Sequence, residues 1–152
     1  SFSDNTSPEC NVNLSNWTGT FRTVEFIWTE TNSYQGVQCT GQASCTLTFA
    51  KPTNAFVGMD NYIEHCGNTI SLEADMTGNN PEDEGHWIIP DVIGEFSNGS
   101  QSPETDFTLT SMGSFGGSAD VEFDALWTVS NGVCYDLDTI HIHLYQRPIA
   151  HA

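Results

Sequence analysis

Along most of this chain, apolar and polar residues alternate with a period of two, and clusters of turn residues interrupt the alternation. The stretch "TGTFRTVEFIWTET" (18–31) puts Val24, Phe26 and Trp28 on one side and Glu25 and Thr29 on the other. In "CTLTFA" (45–50), Cys45, Leu47 and Phe49 alternate with threonines. "TISLEADM" (69–76) sets Ile70, Leu72, Ala74 and Met76 against Glu73 and Asp75. "DFTLTSM" (106–112) and "ADVEFDALWTV" (119–129) repeat the pattern, the second with Phe123, Ala125, Trp127 and Val129 together. In "TIHIHLYQ" (139–146), Ile140, Ile142 and Leu144 alternate with His141, His143 and Tyr145. The intervening "NPEDEG", "SNGSQSPE", "GSFGG" and "SNGVCYD" are turn clusters rich in Gly, Pro, Asn and Ser.

Helical periodicity is nearly absent, so the pattern predicts an all-β fold of about eight strands, each with one apolar face. Antiparallel pairing around one interior gives either an up-and-down β-barrel or, as the alternative, a two-sheet β-sandwich or jelly roll. With no repeat and no linker, residues 10–152 read as a single β-barrel domain behind a flexible amino-terminal arm over residues 1–9. A chain of 152 residues is long enough to bury a substantial core.

Charge narrows the partners. Arg22, Lys51 and Arg147 are the only lysines or arginines against 20 acidic residues, a formal charge of −17. Binding to nucleic acid or an anionic membrane requires a basic face, so neither is expected. No apolar run approaches the roughly 18 residues that span a bilayer. Acceptor triplets for N-glycosylation at Asn5, Asn13, Asn16 and Asn98, five scattered cysteines and a start at Ser1 together predict a secreted, extracellular glycoprotein.

The cysteines are Cys10, Cys39, Cys45, Cys66 and Cys134, with no C-x-x-C spacing of the kind that builds a structural zinc site. Two disulfides and one remaining thiol are expected. Cys39 with Cys45, or Cys10 with Cys66 or Cys134, are the pairings considered. An unpaired cysteine or a free sheet edge also offers a route to a homodimer.

The two ends, "NWTGTF" (16–21) and "HLYQRP" (143–148), resemble the calycin superfamily of lipocalins, fatty-acid-binding proteins and avidins. In that family a tryptophan at the start of the first strand lies under an arginine at the end of the last. By resemblance, Trp17 and Arg147 would take these places and close one end of a barrel. Ser15 stands where lipocalins place a glycine, and a glycine follows the tryptophan instead, at Gly19. The resemblance implies a carrier of one small apolar or aromatic ligand.

An eight-stranded barrel is about wide enough for one small ligand, and aromatic walls are its expected lining. Phe26, Trp28, Phe49, Phe123, Trp127 and Tyr145 are therefore the candidate ligand-binding residues. A carbohydrate-binding sandwich with rim aromatics such as Trp87, or an enzyme built on the same barrel, are the alternatives. His141 and His143 share a strand face and are candidate metal ligands, with His65, His86, Asp136 and Asp138 as further donors. The apolar Ile140, Ile142 and Leu144 claim the interior, which turns the histidines toward the acidic stripe of the preceding strand. No cofactor is expected, although clustered acids in "DVEFD" (Asp120, Glu122, Asp124) and "PEDEG" (Glu82, Asp83, Glu84) have the oxygens that calcium uses. None of the common hydrolase or phosphate-binding motifs occurs, so no catalytic residue is assigned.

Overall fold

A computed structural model describes residues 1–58, 60–110 and 120–147. Among these residues the chain is all-β, as the alternation predicts. Its nine strands are β1 (Phe21–Tyr34), β2 (Val37–Ala50), β3 (Tyr62–Cys66), β4 (Thr69–Glu73), β5 (Glu84–Ile88), β6 (Gly94–Phe96), β7 (Glu104–Leu109), β8 (Asp120–Ser130) and β9 (Tyr135–Tyr145). They form three sheets, ordered β1-β2, β3-β9-β8-β5 and β4-β7-β6, none closed into a barrel. The chain divides into two compact units, Ser1–Lys51 and Pro52–Ala152, where the sequence pattern had marked a boundary only after residue 9.

Unit one is a long hairpin with an amino-terminal loop. The hairpin turns on Gln35 and Gly36, both at positive φ (50° and 81°), the combination a two-residue type I′ turn requires. Cross-strand partners share a side, so the half-buried Val24, Phe26 and Trp28 lie beside the exposed Leu47, Cys45 and Ala43 on one face. Phe2 rests edge-on against Phe26 (5.7 Å), and Trp17 does the same to Phe49 (6.1 Å), which is 6.4 Å from Phe26. The first residues are held by backbone bonds, Ser3 N–H to Asn11 and Asn13 N–H to Ser1, around an antiparallel Phe2–Val12 bridge.

Unit two is a two-sheet sandwich, the alternative arrangement for this pattern. Its core takes Ile70 and Leu72 from β4, Phe107 and Leu109 from β7, and the inward residues of β8 and β9. Phe107 meets Phe123 at 5.9 Å, joining the two sheets. Ile140, Ile142 and Leu144 are buried, as expected, and His141 and His143 point the other way. β3 pairs with β9 in parallel, which the sequence did not anticipate. β3, β5 and β6 were unmarked because each has at most five residues and none shows the clear apolar alternation that Ile70 and Leu72 give β4. The glycine-rich turn at 113–117 and the Ser111–Met112 end of its preceding strand lie outside the described residues.

Asp136 and Asp138 accept hydrogen bonds from the backbone of the segment alongside β9: Ala55 N–H at 2.8 Å and Val57 N–H at 3.0 Å. These carboxylates fasten the segment that precedes β3 to β9. Arg147 donates its Nε–H to the Cys66 carbonyl at 3.1 Å and lies over Gly67, whose φ of 129° is glycine territory.

Candidate functional site

The six aromatic candidates do not form one lining. Phe123 and Trp127 are core side chains, 4% and 0% exposed, packed inside the sandwich of unit two. Tyr145 stands on the outer face of the same sheet. Phe26, Trp28 and Phe49 share one hairpin face of unit one, where Phe26 and Trp28 border an accessible concavity, and Trp127 borders a smaller one of about 310 Å³ in unit two. A groove of about 590 Å³ runs between the amino-terminal loop and the hairpin. Phe2, Val12, Phe26, Trp28 and Leu47 give it apolar walls, and Asp4, Asn5 and Ser44 give it polar ones. Trp28 also borders a second, more polar groove of about 880 Å³, with Thr6, Glu30 and Asn32. Its indole N–H is already committed to Glu30 Oε1 at 3.0 Å, which holds the ring in place. Trp87, expected at a rim, is instead buried in β5 against Trp127, with ring centroids 5.1 Å apart.

The outer face of β3-β9-β8 carries the densest polar chemistry. The register sets His141 opposite Asp124 and His143 opposite Glu122 on β8, and opposite Tyr62 and Glu64 on β3. His141 Nδ1 lies 2.7 Å from Asp124, and its ring stacks on Tyr62 at 5.5 Å. His143 faces carboxylates through both nitrogens, Asp120 at 2.8 Å and Glu122 at 3.2 Å. Both nitrogens can donate only when the ring is protonated, and a neutral ring keeps one of the two bonds. Tyr145 donates to Glu64 Oε1 at 2.9 Å, with the His143 Nδ1 atom 3.1 Å away. Among the described residues no three His, Cys, Asp or Glu side chains are gathered as a metal-ion group. Asp83 is spent on Asn80 and Asn131. The acidic-stripe neighbourhood of the histidines was legible in the sequence. Tyr62 and Glu64 were missed because β3 was.

The Tyr145 phenol is pushed up to about 12 from its ordinary 10.0, first by its hydrogen bond to Glu64, then by burial and the Glu64 charge. Tyr62 moves in the same direction through burial and then Glu64. Since the folded-state value of Tyr145 is the higher one, its bond contributes fully below pH 10 and is lost as pH rises from 10.0 to about 12. Titration of phenolate absorbance is expected to show a late-ionising tyrosine that moves back toward the ordinary range in Glu64→Ala. An unchanged curve in that variant would remove Glu64 as the cause.

Comparison with protein-family models gives no match, and comparison with curated proteins gives none either. Among solved structures, the chain is similar to one titled a "putative alpha-galactosidase" from Bacteroides fragilis, at 10% identity and a TM-score of 0.40. The match covers 61% of this chain and 18% of the other, so the chain spans under a fifth of that protein's length.

Proposed function

We propose that this is a secreted binding protein that takes one small ligand with an apolar or aromatic body in the groove of its amino-terminal unit. The groove carries this reading: its volume, about 590 Å³, lies within the roughly 300–1,000 Å³ of small-molecule sites. Its composition also suits a ligand of this kind, with aromatic walls and a few polar groups to fix orientation. Phe26 and Trp28 contribute ring surface, while Asp4, Asn5 and Ser44 face the ligand's polar end. Exposure of Asn13, Asn16 and Asn98 supports the secretory part of the reading, because a glycan needs an exposed acceptor.

N-phenylnaphthylamine is a suitable probe, being neutral and therefore not repelled by a chain of net charge −17. Its fluorescence is expected to rise saturably on binding, and Trp28→Ala is expected to weaken binding by about tenfold, the loss of part of one buried ring. Unsaturable fluorescence, or equal affinity in Trp28→Ala, would overturn the assignment. The polar groove beside Trp28 favours a second reading, a glycan stacked on the indole with hydroxyls toward Glu30 and Asn32. Glycan-array binding that is lost in Glu30→Ala, with no probe binding, would select this second reading over the first.

A further inference from the structure

We propose that Cys10 and Cys45 form a disulfide that fastens the amino-terminal loop onto the hairpin and closes one side of its groove. The five cysteines stand as separate thiols. Within each unit, strand geometry rules out most of the pairings. Cys39 and Cys45 both belong to β2, six residues apart, which separates their Cα atoms by about 20 Å. A disulfide spans no more than about 7 Å between Cα atoms. The expected Cys39–Cys45 bridge is therefore excluded. In unit two, Cys66 pairs with Tyr145 at one end of β9, and Cys134 immediately precedes Tyr135 at the other end, more than about 30 Å away along the strand.

Cys10 and Cys45 are the two cysteines that line one groove. Cys45 is the cross-strand partner of Phe26 and projects from the same face. Phe2 packs on that Phe26 ring, and Phe2 bridges to Val12. The bonds Ser3 N–H to Asn11 and Asn13 N–H to Ser1 anchor the segment just after Cys10 beside the first residues, and Cys10 and Cys45 both border the groove there. Cys39 lies about 20 Å further along β2 and lines the other grooves.

The oxidant is a disulfide of the glutathione or protein-disulfide class. One cysteine thiolate attacks it, forming a mixed disulfide and releasing one thiolate. The second cysteine then attacks the protein sulfur of that mixed disulfide and releases the other. In total, two protein thiols and one oxidant disulfide become one protein disulfide and two oxidant thiols. The inference stands apart from whether the groove holds a ligand.

The 152-residue chain, refolded in oxidised and reduced glutathione and then alkylated, is digested without reductant and mapped by mass spectrometry. The dominant cross-linked peptide containing Cys10 is expected to join it to Cys45, two hydrogens lighter than its reduced parts. In Cys10→Ser, Cys45 should become alkylated. Alkylated Cys10 and Cys45 in the unaltered chain, or Cys10 joined to any other cysteine, would overturn the proposal. The mapping uses no ligand, so it succeeds or fails independently of probe binding.

Discussion

Trp127→Ala is expected to cost about 3–5 kcal/mol of folding stability, read as a lower urea midpoint with an unchanged slope. The indole is fully buried in β8 and meets Trp87 across the β5–β8 pair. It also dictates its neighbour. A Cβ added at Gly85 would fall 2.1 Å from Trp127 Cζ2 and 2.6 Å from Cη2, well inside contact distance, and a buried ring has nowhere to retreat. Gly85→Ala is therefore expected to destabilise by about 3 kcal/mol, near the upper end for overpacking. The two changes are coupled: with alanine at 127 the space opens, and the added methyl at 85 should then cost little. Additive losses in the double variant would mean that the glycine is required for some reason other than the indole. The Trp127 N–H has no hydrogen-bond partner. Trp127→Phe should accordingly be much milder than alanine, because it removes a buried donor that stabilises nothing.

Phe107→Ala should weaken the fold by a similar amount, about 3–5 kcal/mol, through the cavity it leaves between the sheets. Phe107 is 2% exposed, touches Phe96 at 5.1 Å and Phe123 at 5.9 Å, and covers Gly94. The Phe107–Phe123 contact is where β7 of one sheet meets β8 of the other, so its loss acts on the inter-sheet seam directly. Urea denaturation followed by tryptophan fluorescence reads this change, since Trp87 and Trp127 both lie in the same unit. A loss below about 1 kcal/mol would mean that the seam repacks around the gap, as adaptable cores can. Neither substitution touches the groove of unit one, so probe binding at low denaturant should survive both.

The sequence by itself determined the strand class and, for the long strands, which face is inward. β8 and β9 are eleven residues each, and the alternation over Phe123–Trp127 and Ile140–Leu144 is long enough to fix the inward side there. This is why Phe123 and Trp127 were legible as inward, and His141 and His143 as neighbours of Asp120, Glu122 and Asp124. Which strands pair, and in which sheet, was decided only by the tertiary structure. Alternation says which face is apolar, not what covers it, and the same pattern suits a closed barrel and an open sandwich. The parallel β3–β9 pair, the burial of Trp87 and the separation of the aromatic candidates into core, groove and outer face all follow from that pairing. The cysteines mark the same boundary. Their number is in the sequence, but a disulfide is a matter of a few ångströms, and only the tertiary structure puts Cys10 and Cys45 on one groove and Cys39 about 20 Å further along β2.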